Sequence, residues 1–177
     1  TGVPLRCIRP ATGEPVPVIT NEWEGKPLVA LLPGSRRQEI TVKLPVMLEA
    51  AKAFPNHQFI IAQAPGQPLP FYQDLTASFP NVLIAVAGQT YTLLTKAKAA
   101  LVTSGTATLE TALFGVPQVV CYKGSAISYQ IARRLVKIKY ISLVNLIMDK
   151  PVVKELIQNE LTVTNIRSEL EAILHDE

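Results

Sequence analysis

The chain has 177 residues, 48% hydrophobic and 18% charged, with a formal net charge of +3. That length suits one domain with a substantial core, and no apolar run approaches the roughly 20 residues of a membrane-spanning helix. So mild a charge excludes a composition-driven nucleic-acid binder. The two cysteines, Cys7 and Cys121, lie far apart and read as a reducing compartment without a disulfide framework. His57 and His175 have no carboxylate-rich motif beside them, which argues against a bound zinc or a His-based triad.

Residues 1–25 carry Pro4, Pro10, Pro15 and Pro17 without a sustained period and read as a connector, with Trp23 covering an edge of the adjoining domain. The start at Thr1, with neither an initiator Met nor a secretory signal, reads as a piece of something longer. Residues 26–150 are expected to form one Rossmann-like domain, with a regular pattern from Leu28 to about residue 139. Leu28-Val29-Ala30-Leu31-Leu32 is an uninterrupted apolar run, as in a strand buried on both faces of a parallel sheet. A turn at residues 33–37 leads into a helix with an apolar stripe of Ile40, Leu44, Met47, Leu48 and Ala51, kinked or restarted at Pro45. Then come a strand at residues 59–62, a helix at 72–78, a strand at 82–86 and a helix from Thr90 to about Ala97. A strand at residues 99–102 meets a Thr/Ser/Gly turn and a helix whose Leu109, Ala112 and Leu113 share one face. A strand at residues 117–122 and a helix from Ser125 to Lys137 complete the alternation. Residues 141–148 fit neither pattern. Residues 151–177 predict two helices packing on the domain, at 151–158 and 162–174, the second with Thr164 as its cap.

Alternating strands and helices predict an α/β fold with a Rossmann-like, doubly wound parallel sheet. Ligands of such sheets sit beyond the carboxyl ends of the strands, where strand order reverses. The turns at residues 33–37, 87–90, 103–106 and 122–125 all fall on that rim. No Gly-x-Gly and no P-loop sequence occurs, so the dinucleotide and NTPase fingerprints are absent. What remains is a helix start suited to an anion: Gly105 admits a ligand to the backbone, and Ser104, Thr106 and Thr108 offer hydroxyls. The same spacing also reads as an ordinary helix capped by Ser or Thr, with Gly115 as its stop and Pro117 beyond. Ser35 and Arg36 bring a guanidinium to the same rim, in the geometry that suits phosphate. Glu110 has Ala107 three residues before it and cannot complete a capping box; its carboxylate reads either as a charge that stabilises the helix dipole or as free for a ribose diol. The basic residues Arg133, Arg134, Lys137 and Lys139 read as a solvated helix face or as a contact with anionic phospholipid.

Four motifs in order carry a resemblance: Leu-Leu-Pro-Gly-Ser-Arg at residues 31–36 followed by Glu39-Ile40; Thr-Ser-Gly-Thr-Ala-Thr-Leu-Glu at 103–110; Pro-Gln-Val-Val-Cys-Tyr-Lys at 117–123; and Arg-Leu-Val-Lys with Ile-Ser-Leu-Val-Asn-Leu between 134 and 146. From about residue 27 to 160 the chain resembles the carboxyl-terminal half of bacterial lipid-A-disaccharide synthases. Val144 departs from the family's Ser-Leu-Pro-Asn, and Met148-Asp149-Lys150 departs from the Ala-Gly-Arg-like stretch that comes after it. The resemblance implies one domain of a two-domain GT-B glycosyltransferase, an inverting hexosyltransferase with no cofactor and no metal. Its donor is UDP-2,3-diacylglucosamine and its acceptor 2,3-diacylglucosamine 1-phosphate, joined with release of UDP at the cytoplasmic face of the inner membrane, to which the enzyme would be peripheral. By the same resemblance Ser104, Gly105 and Thr106 bind the diphosphate and Arg36 offsets charge on departing UDP. Glu110 holds the ribose, Gln89 and the loop before it hold the uracil, and Asn145 holds the sugar or phosphates. The general base and the acceptor site would lie on an amino-terminal domain, so the chain alone would not turn over. A non-catalytic nucleotide- or phosphosugar-binding module, and the donor domain of another GT-B enzyme or of a UDP-sugar epimerase, stay open as alternatives.

Overall fold

The structure, a computed structural model, describes residues 4–19, 25–125, 129–130, 134 and 139–176. In chain order its elements are β1 (Leu5–Ile8), β2 (Pro15–Ile19), β3 (Leu28–Leu32), α1 (Arg37–Ala51), β4 (Gln58–Ala62), α2 (Leu69–Leu75), β5 (Leu83–Ala85) and α3 (Thr90–Lys96). They continue with β6 (Ala97–Thr103), α4 (Thr106–Leu113), β7 (Gln118–Tyr122), α5 (Leu143–Met148), β8 (Lys154–Ile157), a 3-10 turn (Gln158–Glu160) and α6 (Val163–His175).

One sheet runs through the molecule in the order β2-β1-β5-β4-β3-β6-β7-β8. Adjacent strands from β5 to β8 pair in parallel, whereas β1 pairs antiparallel with both β2 and β5. The alternation of side chains along each strand feeds two cores. Val29 and Leu31 join Ile40, Leu44, Met47 and Ile166 on one face; Leu28, Ala30 and Leu32 join Leu93, Leu94 and Val102 on the other. Burial on both faces is why β3 and β4 read as continuous apolar runs. Strand order reverses between β3 and β6, so the turns after those two strands face each other across a cleft.

Several elements differ from the sequence expectation. Residues 1–25 supply a strand pair rather than a bare connector: β1 buries Leu5 and Cys7 and matches Cys7 to Ala85. The pairing joins segments far apart in the chain, which no local period reveals. Trp23 lies outside the described residues. α1 continues unbroken through Pro45, because burial of Ile40, Leu44, Met47 and Leu48 outweighs a proline cost of about 3 kcal/mol. α2 starts and ends earlier than expected, with Pro68 at its N-cap and Thr76 closing it by donating Oγ1 to the Tyr72 carbonyl.

Within residues 151–158, expected as a helix, the chain forms β8 (Lys154–Ile157) instead, pairing in parallel with β7 and burying Leu156. The irregular segment before it contains α5, capped by Ser142. α6 is capped by Thr162 rather than Thr164: Thr162 Oγ1 accepts from the Asn165 amide at 3.1 Å. The helix expected from Ser125 to Lys137 falls largely outside the described residues, as do Arg133 and Lys137 of the basic cluster. Arg134 is exposed, and Lys139 is exposed and pairs with Asp149 at 3.0 Å.

The α4 stripe also differs. Leu113 is 79% exposed, and the side chains that α4 buries are Thr108 and Thr111. Their hydroxyls donate back to the carbonyls of Gly105 and Ala107, which satisfies the polar atoms and permits their burial.

Candidate functional site

The β3–α1 turn is shaped by Gly34, whose φ is 119°; a Cβ there would meet Glu39 Oε2 at 2.7 Å. Glu39 thus folds back over the turn, and Arg36 is left exposed at the N-cap of α1 in extended conformation with no side-chain cap. The neighbouring arginine is engaged differently. Arg37 lies over the Phe71 ring, 4.4 Å from its centroid, whereas among the described residues no ion pair engages Arg36.

Across the cleft, β6 ends at Thr103 and α4 begins at Thr106. The N-cap is Gly105, at φ 116° and ψ −159°, a region essentially reserved for glycine. No side chain caps this helix. The Ser/Thr cap of the alternative reading is therefore not formed, and Gly105, Thr106 and Ala107, at the positive end of the α4 dipole, line the cleft. The other end of α4 is closed in full: Gly115 at φ 69° donates to the Ala112 carbonyl and Val116 to that of Thr111, a Schellman motif.

These turns enclose a crevice of ≈ 380 Å³. Ser35, Arg36, Ser104, Gly105, Thr106 and Glu110 all line it, as expected from the sequence. The remaining candidates are placed elsewhere. Thr108 is buried, its hydroxyl held by Gly105. Gln89 accepts the Arg6 amide through Oε1 at 3.1 Å and ties β1 to the start of α3. Asn145 is 1% exposed, and its amide bonds Val153 twice and Glu155 once, at 2.8 to 2.9 Å. The turn at residues 122–125 does not line the crevice.

Sequence reasoning missed two residues here. Tyr91 donates its hydroxyl to Glu110 Oε1 at 3.0 Å while its ring leans on Phe114, centroids 5.5 Å apart. That hydrogen bond to a carboxylate neighbour, with the charge itself, holds the phenol above its ordinary pKa. The signal was present in principle, since Tyr91 opens a helix on the rim. Lys43 is 2% exposed and donates to Thr103 Oγ1; four residues after Glu39, it looks in sequence like one half of a solvated helix pair.

The arrangement brings together an uncapped helix start, a guanidinium and, one turn into the helix, a carboxylate. The first two suit a multiply charged anion, and the third suits a diol beside it. A second cavity, ≈ 280 Å³, opens at the amino ends of the strands and is lined by Phe54, Phe59, Phe79 and His57. It has no helix start aimed into it and lies away from the strand-order reversal. Among the described residues no cluster of three or more His, Cys, Asp or Glu could hold a metal ion, and no helix is long and apolar enough to cross a membrane.

An open parallel sheet, covered on both faces and carrying a crevice at its switch point, defines a Rossmann-like α/β domain. Residues 20–177 match the family model described as lipid-A-disaccharide synthetase, and the chain belongs to that family. It is 44% identical over 151 residues to the lipid-A-disaccharide synthase of Syntrophus aciditrophicus, covering 82% of this chain and 39% of that protein. It is 38% identical over 187 residues to the synthase of Acidobacterium capsulatum, covering 93% and 47%. The chain therefore spans less than half the length of these relatives. Among solved structures, the glycosyltransferase SnogD from Streptomyces nogalater aligns with a TM-score of 0.46 at 21% identity, over 86% of this chain and 37% of that one.

Proposed function

We propose that this chain is the UDP-sugar-binding half of a glycosyltransferase that makes lipid A disaccharide. The donor is UDP-2,3-diacylglucosamine, the acceptor is 2,3-diacylglucosamine 1-phosphate, and UDP leaves with inversion at the sugar. The observation that carries the reading is the uncapped start of α4 at Gly105, facing Arg36 across the crevice with Glu110 one turn further in. In this reading the N–H groups at the start of α4 and the hydroxyls of Ser104 and Thr106 take the diphosphate, with Ser35 on the facing turn. Arg36 lies free to follow the charge that grows on the leaving UDP, a contribution that acts on the transition state more than on the bound donor. Glu110, oriented by Tyr91, accepts from the ribose hydroxyls. The general base and the acceptor site are assigned to a domain outside this chain, so the chain alone binds donor without turning it over. Its place is the cytoplasmic side of the inner membrane, bound peripherally.

Calorimetric titration with UDP tests the site. Wild type should bind. Arg36→Ala should lose roughly 10- to 100-fold in affinity, the worth of a charge-assisted contact, and Glu110→Ala should lose affinity for UDP but not for its 2′-deoxy analogue. If wild type does not bind UDP, or both variants match it, the assignment is wrong.

A further inference from the structure

Lys43 is a cationic side chain among apolar neighbours. It projects from the core-facing side of α1, between Ile40 and Met47, and is 2% exposed. Lysine is almost never buried to that degree without a paired charge. Among the described residues no carboxylate comes within ion-pair distance of its Nζ. Instead the ammonium donates to Thr103 Oγ1, on the last residue of β6, which lines the crevice directly before Ser104.

The groups facing Lys43 can be named from each element around it. Glu39 stands one turn earlier on α1 and itself lines the crevice; Thr103 comes from β6; Cys121 comes from β7. Burial holds the Cys121 thiol up at about 12, so it contributes no charge at neutral pH. Burial also lowers the Lys43 pKa, and Glu39 acts against that shift. An anion held by the adjoining turn would favour the ammonium in the same way as Glu39 does.

We propose that Lys43 is a positioning residue for the anion-binding turn, a buried countercharge that fixes the Thr103 hydroxyl and adds positive potential beneath residues 104–106. The proposal rests on the UDP-sugar reading above. Lys43 does not touch the ligand; it acts through Thr103 and through its field, which a low-dielectric surrounding screens less than water does. A long cation thereby reaches from the middle of α1 to the underside of the site, where Arg36 covers the open side.

The test compares Lys43→Met, Lys43→Gln and Lys43→Arg with wild type, measuring thermal melting and binding of UDP and of uridine, which lacks the phosphates. Lys43→Met should melt at or above the wild-type temperature while its Kd for UDP rises about tenfold. Uridine binding should not change. Lys43→Arg should restore UDP affinity to within about threefold. Lys43→Gln keeps a donor for Thr103 without the charge and should resemble Lys43→Met, and it serves in its place if the methionine variant does not fold. Neutral variants that bind UDP as tightly as wild type overturn the proposal, and so does an equal loss of UDP and uridine, which would mark a packing role. A wild type that fails to bind UDP overturns the site reading along with it; a wild type that binds, with neutral variants unaffected, overturns the Lys43 proposal alone.

Discussion

The helices α4 and α6 begin in opposite ways. α6 is closed by the Thr162 side chain, which accepts the Asn165 amide, and α5 is closed by Ser142 in the same manner. α4 begins at a glycine in a strained region and has no side-chain cap, and α1 and α3, whose first turns also adjoin the crevice, have none either. A side-chain cap typically contributes about 1 kcal/mol. Leaving α4 open forgoes that stability; in the proposed reading its first N–H groups meet the donor diphosphate instead. α2, away from the crevice, also lacks a side-chain cap, so what sets α4 apart is its glycine N-cap; in the reading proposed above, that start is the one that meets the ligand.

Four changes would break or sharpen that contrast. The largest effect should come from the closed side. Asn145→Ala removes the bonds to Val153 and Glu155 that fasten α5 to β8, and should cost about 2–4 kcal/mol in denaturant unfolding with UDP affinity unchanged. An intact fold with lost UDP binding would instead return Asn145 to the site. Gly105→Ala comes next. The crevice has room for the added methyl, since nothing lies within 4 Å of its position, so the penalty is backbone strain of about 1–3 kcal/mol. The turn should relax out of register, and titration should show UDP affinity falling roughly 10- to 100-fold, the same free energy expressed as binding.

Thr162→Ala should cost about 1 kcal/mol and lower the melting temperature, leaving UDP binding as it was. A change in affinity there would mean the two helix starts are coupled. The smallest effect belongs to Tyr91→Phe, which frees Glu110 on an exposed surface. UDP should weaken by no more than about threefold, and the preference for UDP over its 2′-deoxy analogue should narrow. An unchanged preference would mean that Tyr91 has no part in holding the ribose.

The parallel sheet was legible because its strands are hydrophobic on both faces; Leu28–Leu32 could be little else. So was most of the crevice, since Ser35, Arg36, Ser104, Gly105, Thr106 and Glu110 all sit in turns that β-α alternation puts on one rim. That Asn145, Gln89 and Thr108 lie outside the crevice lining and bond other parts of the chain was not legible, because a polar side chain looks the same in sequence whether its partner is a ligand or the protein itself. Strands toward the two ends of the sheet were missed for a related reason. β1 and β8 are short, with four residues each, and their identity as strands comes from neighbours far away in the chain.

By itself the sequence determined the alternation of elements, the rim on which a ligand would sit and the glycines that shape its turns, because periodicity and backbone permissiveness are local properties. Only the tertiary structure decided which of two adjacent arginines is free, that Tyr91 meets Glu110, and that the buried Lys43 reaches the Thr103 hydroxyl. Those facts depend on which surfaces the folded chain brings within a few ångströms of each other, and burial, not residue type, sets what a charge there can do.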